Sequence, residues 1–199
     1  VSASRSTLSY GVAQGNSVFV AVGLGISAVS PSGEDGTWAE YTVSGITGLA
    51  SPSNPIAFDG SKFVVIVYGT RKVFHSTDGI SWTEYATALP VSANWRYLVW
   101  NGTGFVAICR DAVTGAYSTD GITWTQSDLP TSGWEILVSK TSGGIICAIR
   151  PGDSGCLATS VDHGASWTSR NMPAPRSWVC AAWSGSVFCV IYANDGTYT

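Results

Sequence analysis

Arg71, Arg110 and Arg150 each come shortly after an apolar segment, at residues 63–67, 105–109 and 145–149. A guanidinium is a rigid fork of donors that matches a carboxylate, so three arginines held alike could clamp an anion. Trp95, Trp134 and Trp178 recur just upstream of comparable segments, and Asp111 and Asp153 follow two of the arginines closely. Flat aromatic faces beside polar groups suit a sugar, whose hydroxyls need hydrogen-bond partners and whose carbon faces need apolar ones. Glu135 and Tyr97 begin adjacent apolar segments, but no feature marks them as a catalytic pair. These residues imply binding of a hydroxylated or acidic ligand, and no pattern requires a cofactor.

Other patterns carry less chemistry. His75 and His163 lie in unrelated settings without metal-ligand spacing. Five cysteines lacking a CxxC pair suggest neither a zinc site nor a disulfide framework. Cys180 and Cys189 lie symmetrically about Ser184-Gly185, and Cys147 and Cys156 about Pro151-Gly152, so each pair could face across a hairpin. Free, buried thiols are expected, because all four sit in apolar segments where Cys behaves as a small hydrophobe. Asn101-Gly102-Thr103 has the pattern of a glycosylation sequon, yet Asn-Gly is also a favoured hairpin turn, and the turn is the reading adopted here. Gly152-Asp153-Ser154-Gly155 looks like the nucleophile segment of trypsin-like proteases, but no matching histidine segment accompanies it.

The elements that would hold these residues are repeats. Ser118-Thr119-Asp120-Gly121-Ile122-Thr123-Trp124 recurs as Ser76-Thr77-Asp78-Gly79-Ile80-Ser81-Trp82. It appears with one extra residue as Ser160-Val161-Asp162-His163-Gly164-Ala165-Ser166-Trp167, and in degraded form as Ser32-Gly33-Glu34-Asp35-Gly36-Thr37-Trp38. The tryptophans at 38, 82, 124 and 167 are 44, 42 and 43 residues apart. A period of that length marks stacked supersecondary units, most often propeller blades. Each unit reads as four strands, A to D, with the Asp-Gly turn between C and D. A four-stranded unit with apolar faces must stack on its neighbours, and radial stacking leaves only short edges. The expected fold is all-β: a single β-propeller domain over residues 1–199, about 43 residues per blade, with four complete blades and a partial fifth. The beginning, Val1-Ser2-Ala3-Ser4-Arg5, is neither an initiator Met nor a signal peptide, which suggests a piece of a longer or processed chain. Further blades or self-association, giving a homo-oligomer, would then complete the ring.

Composition narrows the function. Hydrophobic residues make up 45% and charged ones 12%, with 23 Gly and 9 Trp, as expected of short strands and tight turns. A net charge of −3 offers no basic face for nucleic acid. No apolar run reaches the roughly 18 residues of a membrane-spanning helix, so membrane insertion is not expected.

The copy at Ser160-x-Asp162-x-Gly164-x-x-Trp167 resembles the Asp-box of sialidase-like propellers. The shorter copies at Ser76 and Ser118 are similar to repeats in bacteriophage tail and fibre proteins. The resemblance implies scaffolding roles for Asp35, Asp78, Asp120 and Asp162 and for Trp38, Trp82, Trp124 and Trp167. It also implies a ligand site at the opposite end of the blades. The arginine-bearing motif of sialidases near the first strands is missing, since Arg5-Ser6-Thr7-Leu8 does not match it. The expectation is therefore a non-catalytic binding module of a phage virion appendage. Its partners would be host surface glycan or another virion protein, with Trp95, Trp134, Trp178, Arg110, Arg150, Asp111 and Asp153 as contacts. A sialidase-type glycosidase and a purely structural virion or secreted module are the alternatives.

Overall fold

The computed structural model describes residues 8–49, 53–140, 144–151, 156–173 and 176–193. All their regular elements are β-strands, grouped into successive antiparallel sheets. Blade 1 comprises β1 (Leu8–Gly15), β2 (Val18–Gly23), β3 (Ile26–Ser30) and β4 (Ala39–Thr42). Blade 2 comprises β5 (Ile56–Phe58), β6 (Phe63–Ile66), β7 (Val73–Ser76) and β8 (Thr83–Tyr85). Blade 3 comprises β9 (Trp95–Trp100), β10 (Phe105–Cys109), β11 (Thr114–Ser118) and β12 (Thr125–Asp128). Blade 4 comprises β13 (Ile136–Ser139), β14 (Ile146–Arg150), β15 (Cys156–Ser160) and β16 (Thr168–Asn171). Blade 5 holds β17 (Trp178–Trp183) and β18 (Phe188–Tyr192) alone among the described residues. Four complete sheets and a half sheet match the repeat count.

Within each complete blade the strands pair in chain order, as two-residue and longer hairpins require. Burial follows strand position. All five residues of β10 are buried, whereas every described residue of β16 is exposed. In blades 2 to 4 the second strand is covered on both faces by neighbouring blades, while the fourth forms the outer rim. Asn101 closes the β9–β10 hairpin. Its side-chain oxygen accepts from the Thr103 and Gly104 amides and the Thr103 hydroxyl, and the residue is fully buried. The sequon is thus occupied by a turn.

The first strands of successive blades lie beside one another, giving the radial arrangement. The Asn54 amide donates to the Arg96 carbonyl, and the Leu98 amide donates back to Asn54, tying the approach to β5 onto β9. The cores lie between blades. Val64, Ile66 and Val73 of blade 2 pack with Leu98, Phe105, Ala107 and Trp124 of blade 3. Ile108 and Tyr97 of blade 3 pack with Trp134, Ala148 and Ala158 on the next boundary.

The thiols follow the same logic. Cys109 and Cys147 are free and buried, as expected, but Cys180 and Cys189 are free and exposed. No described residue covers the outer face of blade 5. The hairpin register also differs from the symmetric pairing: Cys180 lies opposite Ile191, and Cys189 opposite Ala182, after a bulge between Trp178 and Cys180. Cys147 faces Thr159, not Cys156, which faces Arg150.

Candidate functional site

The Asp-Gly turns build one end of the blades. In blade 3 the Ser118 hydroxyl donates to Asp120 Oδ1 at 2.9 Å and accepts from the Gly121 amide at 2.8 Å. Asp120 Oδ1 also accepts from the Ile122 and Thr123 amides, each at 2.7 Å. Burial raises the Asp120 pKa, but the Thr123 and Ile122 amides and the Ser118 hydroxyl outweigh it and hold the carboxyl at about 2. Asp78 and Asp162 are lowered likewise: burial opposes the shift, and amide and hydroxyl bonds within the turn produce it. These three carboxylates are turn-formers.

Each turn docks on the blade before it. Gly121 has φ +72°, and a methyl group there would stand about 3 Å from His75, Phe105 and Val64, so only glycine fits. At Gly79 the obstacles are Val20 and Val29 of blade 1, and at Gly164 Val106 of blade 3. The indoles follow: Trp82 Nε1 donates to the Gly79 carbonyl at 3.0 Å and Trp124 Nε1 to that of Gly121 at 2.9 Å. Trp82 packs in the core between blades 1 and 2, Trp124 between 2 and 3, and Trp167 between 3 and 4. Trp167 Nε1 is buried without a hydrogen-bond partner. The inserted His163, at φ +61°, lengthens that turn and turns its ring onto blade 3, where Nδ1 lies 2.7 Å from the Thr103 hydroxyl.

Blade 1 corrects the sequence reading. The Ser30 hydroxyl, not that of Ser32, accepts from the Gly33 amide at 2.8 Å, and Ser32 takes the place of the turn aspartate. The remaining bonds of this turn run through Thr37 and Glu34, and none of them uses Asp35. Two additional residues displaced the motif, which is why its Asp and Gly aligned falsely. Trp38 keeps the indole bond, to the Gly33 carbonyl, but is 37% exposed because no blade precedes it in the described structure.

At the opposite end, the three candidate platform tryptophans are buried. Trp95, Trp134 and Trp178 are 1%, 0% and 8% exposed, so they present no ring face for stacking. The Trp95 indole donates to the Val91 carbonyl and that of Trp134 to Thr131, pinning the links that lead into β9 and β13. These tryptophans are interblade core, a correction to their proposed role as platforms. Arg71 is also committed: Nε donates to the Leu89 carbonyl at 2.6 Å and Nη2 to Thr87 at 3.4 Å.

Arg110, Asp111 and Arg150 do converge. With Ser132, Gly133 and Glu135 they line an open cleft of about 520 Å³ between blades 3 and 4. Arg110 Nε donates to Glu135 Oε1 at 2.6 Å, and its Nη2 pairs with the same oxygen. The Gly133 amide donates to the Arg110 carbonyl at 2.6 Å, and a methyl group at Gly133 would crowd the Arg150 stem at 2.9 Å. Arg150 Nη1 reaches the Thr131 hydroxyl at 3.4 Å, and Asp111 accepts from Asn94 at 2.8 Å. Glu135 stands here as a partner for Arg110. Tyr97 is buried, its pKa pushed up to about 12 by burial first and then by the Glu135 charge, with Arg96 and Arg110 opposing. Its hydroxyl therefore keeps its proton at neutral pH. Asp153 lies outside the described residues. Ser132 and Gly133, in the link between blades 3 and 4, were not singled out from sequence; the link's position opposite the Asp-Gly turns was the available signal.

A larger open cleft of about 560 Å³ lies at the turn end, lined by Lys62, His75, Tyr85 and Asp120 among others. Its charged groups hold structure: Lys62 pairs with Asp59 at 2.6 Å, His75 Nε2 meets the Gly121 carbonyl, and Asp120 forms its turn. The smaller cleft has the better claim as a site.

No family model and no curated protein matches the chain. Solved structures share its fold at low identity. Virginiamycin B lyase from Staphylococcus aureus matches with a TM-score of 0.68 at 14% identity, over 91% of this chain and 62% of that one. A YCF48 structure bound to D1 peptide matches with a TM-score of 0.64 at 15% identity, over 92% and 60%. YCF48 from Cyanidioschyzon merolae gives 0.62 at 16% identity, over 97% and 69%. The chain is a β-propeller of four-stranded blades, and it spans about three fifths of the lyase and of the peptide-bound YCF48 chain.

Proposed function

We propose that this protein is a non-catalytic binding module that takes up a carbohydrate at the cleft between blades 3 and 4. The observation that carries this reading is the cleft's balanced polarity: Arg110 and Arg150 face Asp111 and Glu135 in one open depression. Two cations beside two carboxylates suit the hydroxyls of a neutral sugar, which both donate and accept, better than they suit an anion. Arg71 hydrogen-bonds two carbonyls in blade 2 and Arg110 pairs with Glu135, so neither is poised for a substrate carboxylate. That weighs against a sialidase-type reaction.

The setting we favour is a phage virion appendage contacting host surface glycan, supported by the short spacing of the turns at Ser76 and Ser118. A glycan microarray followed by titration tests the binding. Arg150→Ala and Asp111→Ala should each weaken the best glycan at least tenfold while leaving the melting temperature within a few degrees. Turnover of a fluorogenic sialoside, lost on changing Arg110 or Arg150, would overturn the reading in favour of a glycosidase. Absence of any glycan ligand would leave a structural or protein-binding virion module.

A further inference from the structure

We propose that the glycan site continues from the cleft between blades 3 and 4 into a second cleft on blade 3, so that the groove takes a chain of two or more neutral sugar units. The inference deepens the carbohydrate reading above and rests on it. The second cleft has a volume of about 350 Å³ and lies between the link entering β9 and the loop from β10 to β11. Its size and that of its neighbour both fall within the roughly 300–1,000 Å³ of small-molecule sites. Asp111 lines both clefts, so the two depressions share one wall.

That wall is held at three points. The Gly133 amide donates to the Arg110 carbonyl at 2.6 Å on one side, and the Leu129 amide to the Val113 carbonyl at 2.7 Å on the other. Between them, Asn94 Nδ2 donates to Asp111 Oδ2 at 2.8 Å. A wall fixed in advance loses little freedom when a ligand binds against it. Asp111 is nevertheless exposed, and a carboxylate accepts more bonds than the one from Asn94. It can therefore accept from hydroxyls of two consecutive units, one on either side. The second cleft supplies what else a sugar needs: Ser92 and Thr114 bring hydroxyls, and Val91 brings an apolar surface that is 37% exposed. Cys109 adds no charge, because burial first and the Asp111 charge second push its pKa up to about 12. Asp111 is the only charged residue among those lining this cleft. A carboxylate or sulfate on the second unit would meet that charge with no cation beside it, so the groove selects a neutral chain.

Calorimetric titration of the unmodified chain tests this, using the strongest neutral oligosaccharide from the array and its own fragments of one, two and three units. Affinity should rise about tenfold or more from one unit to the longest fragment, the worth of one or two net hydrogen bonds. Ser92→Leu removes a hydroxyl and adds bulk at an exposed position of the second cleft. It should cut that rise to about threefold or less, with the melting temperature within a few degrees of the unmodified chain. The length series on the unmodified chain decides the matter even if this variant does not fold. Equal affinity for all fragments, or a full rise retained in folded Ser92→Leu, would overturn the second cleft and leave the carbohydrate reading standing. Binding of neither the parent glycan nor any fragment would overturn both.

Discussion

His75 Nε2 lies 2.8 Å from the carbonyl of Gly121, across the boundary between blades 2 and 3. The histidine stands on β7, and its ring also packs against Tyr85, with centroids 4.7 Å apart. One imidazole therefore joins a strand of one blade to the turn of the next.

That position makes stability depend on pH near neutrality. Burial lowers the His75 pKa below its ordinary 6.5, with the Gly121 bond opposing and the Lys62 charge adding to the shift. The folded state then favours the neutral ring. Its contribution is fully present above about pH 6.5 and is lost as the pH falls toward the lowered value. Urea midpoints measured between pH 8 and pH 5 should decline across that window. His75→Gln should flatten the decline.

The turn aspartates act in a separate, acidic range. Asp120 sits at about 2, so its contribution is complete above its ordinary 3.8 and disappears as the pH falls through about 2. Asp120→Ala should cost about 1–2 kcal/mol, since three backbone and hydroxyl donors lose their acceptor in a largely solvated turn. Asp35→Ala should change stability by less than about 0.5 kcal/mol, as for other surface substitutions. Chemical denaturation of both variants at pH 7 separates the two roles.

Tryptophan truncations should sort by burial. Trp124→Ala and Trp134→Ala should each cost about 3–5 kcal/mol as core deletions, because both rings are buried between blades. Trp38→Ala should cost under about 1 kcal/mol in dilute solution, where its ring is partly exposed. Thermal melts at low protein concentration measure all three.

Removing the charge of Glu135 tests the ligand chemistry of the cleft. Glu135→Gln frees Arg110 of its ion pair and leaves the cleft net positive. Affinity for a neutral glycan should fall severalfold, and binding of an acidic one should rise. Calorimetric titration with matched neutral and acidic sugars reads both directions.

Much of the architecture was legible in the sequence because turn chemistry and apolar runs agree there. Residues 95–100 and 105–109 form β9 and β10 as expected, with Asn101-Gly102 between them. The site was harder. Strands that are buried on both faces carry no alternation, so nothing local showed that Trp95 and Trp134 point between blades instead of toward a ligand. Arg71, Arg110 and Arg150 each end or follow a second strand, yet what each reaches depends on the next link: Leu89 for Arg71, Glu135 for Arg110, Thr131 for Arg150. Repeat position determined the end of the molecule, and the variable links determined which side chains meet.

The one-way seating of each turn on the preceding blade has a mechanical corollary. Blades held only by their neighbours give up one neighbour at a time. Pulled from residues 8 and 193, this stretch of blades should unravel from the outside inward. Each released blade should add about 150 Å of contour length, the extended span of some 43 residues. Blade 3, seated on blade 2 and itself a seat for blade 4, should part last.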